Sequence, residues 1–428
     1  MLSTIVAQIA AFKNISSTSS RSTSLCALCR GTKLLCGKSR CPVLVRYHSH
    51  NKVKPFLASK LIHGASPPSI FVGRIGYPKV SIGPLVPPRM GNTSLFDTPE
   101  QWLDRSLDEI VDFRSSLIRG KHTVKVYDVE KSDKTIEFTR ELALAENSVF
   151  TEALFNKRPI GRIRFYDDIQ PHGPSAPLKK MNITNPKYNQ RVEKAYYDTD
   201  LKSAEAVFSL YKDGVQISKI QKAFSVGAFG IGKYRRFVPT RWSITAVDSQ
   251  IGKQLMDHTR HLPWINMFRV YYHNQYDNRW IILMMPSEWQ YELIEAWYPN
   301  TTWNQYGNSI SIYNSYEFNE GRKTYADIGG CYYAGRLAVN ETLHKDKRQA
   351  AAVILREAHP GYIMPIGVWN VRESVRRTLQ QPYQQFDTLQ QSLAYIGTKL
   401  DIPMNRWIQN SALLKHRMFQ TRLDDFSG

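Results

Sequence analysis

No aspartate or glutamate occurs between Met1 and Phe96, while the same stretch holds 13 Lys and Arg of the 57 in the chain. About two thirds of the formal net charge of +20 therefore sits in less than a quarter of the 428 residues, and a charge so placed points to a polyanionic partner. Long apolar runs are also missing. No run is longer than the six of WIILMM at 280–285, which stops at Pro286; it is far short of the roughly 18 residues a membrane span needs and reads as a buried strand. Cysteine is scarce, five in 428, which excludes a disulfide scaffold and favours a reducing, cytoplasmic compartment. Neither H-E-x-x-H nor G-x-S-x-G occurs, so no complete catalytic constellation declares itself.

Apolar residues make up 42% of the chain, enough for a sizeable core in two domains plus ends. Four of the five cysteines fall within 16 residues, in CALCRGTKLLCGKSRC, which sets Cys26, Cys29, Cys36 and Cys41 at C-x2-C-x6-C-x4-C. Four soft ligands converging on one point suit a structural Zn²⁺, the two-residue spacing lets a tight turn present the first pair, and Gly31 and Gly37 ease the turns. A site closed by four thiolates leaves no position for catalysis. Arg30, Lys33, Lys38 and Arg40 lie between these ligands and would make the loops cationic. Cys331 stands alone and reads as a small core residue.

The pattern predicts an α+β protein with a flexible leader over 1–24, a zinc module over 25–60, an α+β domain over 61–300, a mainly helical domain over 301–411 and a tail over 412–428. Within it, DTPEQWLDRSLDEIVDFRSSLIRG predicts a helix opened by Asp97 or Thr98 and Pro99. SAEAVFSLYKDG predicts one closed by Gly214, and SEWQYELIEAWYP one stopped by Pro299. Alternation from about Ser225 to Leu283 predicts strands, with the sheet mainly N-terminal, and VNETLHKDKRQAAAVILREAHPG and VWNVRESVRRTLQQP read as helical.

GAFGIGK at 227–233 fits the first seven positions of a phosphate-binding P-loop, but Tyr234 stands where the Mg²⁺-holding hydroxyl belongs, and the following text reads as extended. A Gly-rich turn followed by Lys233, Arg235, Arg236 and Arg241 remains a candidate phosphate-contacting loop, alongside a solvated basic hairpin. On a helix at 288–298, Glu288, Glu292 and Glu295 would share one face. A catalytic cleft, if there is one, draws on Glu292, Asp327, Arg336, Arg372 and Glu373. At the C-terminus, Gln420, Leu423 and Phe426 fit the Q-x-x-h-x-x-a frame of a peptide that docks on the sliding clamp PCNA, with Ser427 in place of the usual second aromatic.

The blocks LCALCRGTKLLCGKSRCP, VGRIGYPKVSIGPL, GPSAPL, RRFVPTRWSIT, DIGGCYYAGR, RQAAAVILRE and PIGVWNVRESVR together resemble the archaeal Nre family of DNA repair proteins from about Leu25 onward. The resemblance implies an N-terminal and a C-terminal Nre domain, participation in DNA damage repair, and clamp binding through the C-terminal peptide. It supplies no catalytic residue. The expected protein is a zinc-bearing, DNA-associated repair factor tethered to PCNA, cytoplasmic and associated with the nucleoid. The alternatives are a nuclease or hydrolase acting on damaged or modified DNA or nucleotides, and a zinc RNA-binding protein.

Overall fold

The computed structural model describes residues 26–161, 170–305 and 307–419. Helix α1 (Pro42–Val53) leads into a β-rich unit of six strands: β1 (Leu61–Ser66), β2 (Ile70–Val72), β3 (Lys79–Val86), β4 (Ile118–Lys125), β5 (Val149–Phe155) and β6 (Ser175–Ile183). They form one mixed sheet in the order β1-β5-β6-β4-β3-β2, in which β4 and β6 run parallel and the other neighbours antiparallel. Helix α2 (Leu107–Ser116) precedes β4, and α3 (Lys134–Leu144), α4 (Gln190–Tyr197), α5 (Ser203–Lys212), α6 (Ile217–Ser225) and α7 (Thr240–Thr259) follow it. The apolar faces of α3 to α7 join the strands in one core, where Ile82, Ile118, Leu142, Ile220 and Val247 are fully buried, while α2 packs Ile110 and Val111 in a separate cluster with Trp297 and Trp369.

Strands β7 (Phe268–Gln275), β8 (Asn278–Met285), β9 (Gln290–Trp297), β10 (Ser311–Glu317), β11 (Ala351–Ala358) and β12 (Gln384–Phe386) build a second six-stranded sheet, ordered β10-β9-β11-β8-β7-β12. Nine of the twelve strands precede residue 300, so strand is mainly N-terminal as expected, but this sheet takes three strands from before residue 300 and three from after it. Helices α8 (Gly330–Asp346) and α9 (Trp369–Leu379) cover one face through Trp280, Tyr291, Val339 and Val375. Helices α10 (Leu389–Gly397), α11 (Met404–Asn410) and α12 (Ala412–Phe419) cover the other through Ile396, Trp407 and Leu414. A sheet covered on both faces loses the alternation of apolar and polar residues that marks a half-exposed one. That is why SEWQYELIEAWYP, read as a helix, is strand β9. For the same reason the run AAVILREA forms β11 after α8 has ended, so Arg348 and Arg356 do not share a helix.

The two sheet units meet where α7 crosses α8. Gly252 lets the axes come close, since a Cβ there would lie 3.4 Å from the Leu337 backbone, and Leu337 itself joins the first core. The long helix α7 occupies text expected as strands: its β-branched residues Ile244, Val247 and Ile251 recur at helical spacing, and Pro239 sits at its N-cap. The helix expected from Asp97 begins ten residues later. Two short 3₁₀ turns occupy Ser94–Asp97 and Pro99–Gln101, and α2 opens at Ser106 with a capping box to Glu109. The expected α+β class holds, with a helical region after Phe386.

Candidate nucleic-acid interface

Between α6 and α7 the chain makes a closed loop rather than a P-loop. The Val238 N–H donates to the Ser225 carbonyl at 2.9 Å and the Ser225 hydroxyl returns a bond to the Val238 carbonyl at 2.6 Å. Gly227 (φ +70°) passes so near the returning strand that a Cβ would lie 2.8 Å from the Arg236 carbonyl. Lys233 falls in a 3₁₀ turn, Gly232–Tyr234, and the helix starts only at Thr240, so no helix N-terminus faces the lysine as a P-loop requires.

This loop divides the four basic candidates. Arg235 is buried: its Nε donates to the Gly230 carbonyl at 2.8 Å, its Nη2 to the Asp198 carbonyl at 3.0 Å, and its guanidinium lies over Tyr196, so it holds the loop's shape. Arg241 is exposed in the first turn of α7 and near Tyr325. Lys233 and Arg236 come together in a rim of cations and rings. The Lys233 Nζ sits 5.1 Å from the Tyr234 ring and the Arg236 guanidinium 5.8 Å from the Tyr127 ring, and these tyrosines are 59% and 66% exposed. Tyr127 was not legible as part of the site; the Phe237 N–H donating to the Val126 carbonyl at 2.8 Å brings it there from over a hundred residues away. Exposed rings beside cations offer stacking to bases and charge to the backbone of a nucleic acid.

The cysteine segment is a tight arm. Arg30, Gly31, Leu34 and Gly37 all adopt left-handed backbone conformations, and the Arg30 N–H donates to the Cys26 carbonyl at 2.9 Å. Cys29 is buried among backbone amides: the N–H of Leu35 first, with those of Gly31, Lys33 and Leu34, holds its thiol below the usual value against the opposing effect of burial. Amides aimed at sulfur are what a thiolate requires. Among the described residues, the set of His, Cys, Asp or Glu ligand atoms lying within 4.8 Å of one another is Glu357, His359 and Asp401; the four cysteine sulfurs do not form such a set. Arg279 already supplies a cation there, 2.5 Å from Asp401. Two of the arm's basic residues are engaged rather than presented. Lys38 is buried and donates to the Asn300 carbonyl at 2.7 Å, and Arg40 pairs with Asp108 at 2.7 Å.

The five residues considered for catalysis are not gathered in one cleft. Glu292 points to the α12 side of the second sheet, where its carboxylate accepts from the Ser411 hydroxyl and the N–H groups of Ala412 and Leu413 at 2.5, 2.8 and 3.0 Å and so caps α12. Burial pushes its pKa up against these bonds. Arg336 lies on the opposite side, paired with Glu317 at 3.0 Å, and Asp327 is exposed, 3.8 Å from Arg322. Arg372 and Glu373 do meet, at 2.9 Å, in a buried network that continues from Arg372 to Asp248 and from Arg376 to Glu373 and Glu341. It ties α7, α8 and α9 together, and its acids Asp248 and Glu341 carried no signal in the sequence. Glu295 pairs with Arg356 at 2.8 Å, whose guanidinium lies among Trp280, Trp297 and Tyr362, and Cys331, in the first turn of α8, packs half-buried against the core. Gln420, Leu423 and Phe426 lie outside the described residues.

Fold and site define a two-sheet α+β protein with a cysteine-rich arm and an exposed loop of cations and tyrosines. The chain belongs to the Nre family: the description "Archaeal Nre, N-terminal" matches residues 35–304 and "Archaeal Nre, C-terminal" residues 317–426. It is 41% identical to the DNA repair protein NreB of Archaeoglobus fulgidus, over 91% of this chain and 97% of that one. To the DNA repair protein NreA of the same organism it is 35% identical, over 88% and 94%, and to NreA of Haloferax volcanii 32%, over 86% and 89%. No solved structure matches it. Among the described residues no helix is long and apolar enough to cross a membrane.

Proposed function

We propose that this protein is a DNA repair factor that grips DNA through the Lys233–Arg236 loop, folds its N-terminal arm around one structural Zn²⁺, and docks on PCNA through its C-terminal peptide. The repair role follows from its relatives, which bear the name DNA repair protein over nearly their whole length. The observation that carries DNA contact is the pairing of Lys233 with Tyr234 and of Arg236 with Tyr127 on an exposed rim. Zinc is supported by four thiols at ligand spacing, by the run of left-handed turn residues and by the amides around Cys29. Clamp docking is supported by Gln420, Leu423 and Phe426, and the family match extends across them to residue 426. The working place of such a factor is the nucleoid within the cytoplasm.

The test is DNA affinity as a function of salt. Each phosphate contact contributes about one unit to the slope of log affinity against log salt. Lys233→Ala with Arg236→Ala is expected to flatten the slope by about two units and to weaken binding evenly across sequences. An unchanged slope sinks the assignment of this loop. Duplex, single strand and structured RNA compete in the same assay; a clear preference for RNA over both DNA forms would replace the repair reading with RNA binding.

A further inference from the structure

One buried carboxylate beside the first sheet is crowded by cations. Asp97 closes the turn Ser94–Asp97 and accepts from the Ser69 hydroxyl ahead of β2 and from Arg114 in the last turn of α2. Lys222 of α6 lies 3.4 Å from its Oδ2 and also donates to the Asp97 carbonyl. Arg119 adds a third cation. As the second residue of β4 it pairs with Leu85 of β3, on the same sheet face as Gly83, which in turn pairs with Phe71 of β2. Gly83 has no side chain to obstruct, so Arg119 reaches across β3 and lays its guanidinium over the Phe71 ring, 5.1 Å from the centroid.

Nothing among the described residues completes this arrangement. Among the described residues the Arg119 guanidinium has no hydrogen-bond acceptor and no carboxylate partner. It is half-buried, so one side opens to solvent, and the Arg114 side chain beside it is 27% exposed. Burial first, then repulsion from Arg114, push the Arg119 pKa down to about 9, with Asp97 offsetting part of the effect. Lys222 and Arg114 share the one carboxylate of Asp97, so with Arg119 the described cluster carries a surplus of two positive charges.

We infer that Arg119 and Arg114 bind a phosphate monoester, such as the terminal phosphate of a DNA strand, with Phe71 at its edge. A monoester carries about two negative charges near neutral pH and three acceptor oxygens, which matches two guanidinium forks; an internal phosphodiester carries one charge. The chemistry of the group rests on this cluster alone. Its source, a strand end, rests on the DNA-binding reading above.

The full-length protein tests both. Anisotropy would compare a short single strand bearing a 5′-phosphate with the same strand ending in a 5′-hydroxyl, at fixed salt, and thermal unfolding would follow added inorganic phosphate. Wild type is expected to favour the phosphorylated strand about tenfold and to be stabilised by inorganic phosphate. Arg119→Met, which keeps the packing on Phe71, is expected to abolish both effects without weakening the hydroxyl strand, and Arg119→Lys to restore part of the preference. Lys233→Ala with Arg236→Ala should weaken both strands equally and leave their ratio intact, so failure of the loop and failure of this site read differently. Phosphate stabilisation lost in Arg119→Met, without discrimination between strands, supports the site with a free phosphate compound as its ligand. Wild type indifferent to both the terminal phosphate and inorganic phosphate overturns it, as does a preference that survives in Arg119→Met.

Discussion

Asp97 and Glu292 are both buried carboxylates, and their surroundings drive them in opposite directions. Burial raises the pKa of Asp97, but Lys222, Arg114 and Ser69 outweigh it and hold the group below the usual carboxylate value. At Glu292 burial prevails over Ser411 and the amides at the start of α12. A folded pKa below the unfolded one contributes stability that is fully present above the unfolded value of about 4 and is lost as pH falls through the folded value. Asp97→Asn leaves Lys222 without its counter-charge, and is expected to cost about 3 to 5 kcal/mol at pH 7. Urea unfolding of both proteins in steps down to about pH 3 should show the difference shrinking below about pH 4; a constant difference would mean that the carboxylate charge contributes nothing. Glu292 illustrates why carboxylates in a sequence mislead. Its spacing from Glu288 and Glu295 suggested an acidic face, whereas each of the three has a separate fate: exposed in a turn, capping a helix, or locked to Arg356.

Elements with a clear run length or end signal are legible in the sequence. The α5 helix with Gly214 (φ +77°) after it, the buried strand around WIILMM, stopped by Pro286, and α9 stand where those signals put them. Strand β9 and α7 are not. Strand β9 has no polar face to set its period, and the β-branched residues of α7 suggest a strand by type while their 3.6-residue recurrence makes a helix. Of the candidate site, the loop glycines and Lys233 could be read locally, but Tyr127 and the Asp97 cluster arise from pairings between distant segments that no local pattern records. On the proposed reading, the cysteine arm is the element whose order is tied to metal. Of its contacts to the body, Lys38 to Asn300 is a buried hydrogen bond, and the exposed pair Arg40 to Asp108 contributes only about 0 to 1 kcal/mol. Metal analysis of the purified protein should find a single Zn²⁺, falling on Cys36→Ser. Chelation should open the arm to protease near Lys33 while unfolding of the two-sheet body stays unchanged. Purified protein without zinc, with an arm that resists protease, would refute the metal assignment.

For the molecule as a whole, the loop and the last described helix belong to different units. The Lys233 loop sits on the first-sheet unit, and the chain leaves α12, pinned by Glu292 and by buried Leu413 and Leu414, on the second. Gln420 follows α12 directly, so a clamp held by Gln420, Leu423 and Phe426 would lie close to the second unit while the first remains free to reach DNA. Linking two weak contacts in this way raises avidity by about 10² to 10⁴ without any new contact, which suits a protein whose exposed basic loop is small. Calorimetry of PCNA against the full chain and against a form lacking residues 420–428 should show binding that vanishes with the tail, while affinity for free DNA is unchanged. Lys233→Ala with Arg236→Ala should show the reverse, keeping the clamp and losing DNA. On clamp-loaded DNA either change alone should therefore remove most of the avidity, because each breaks one arm of the same bivalent attachment. If deletion of the tail leaves clamp binding intact, the clamp is held elsewhere on the body and the tethering geometry fails.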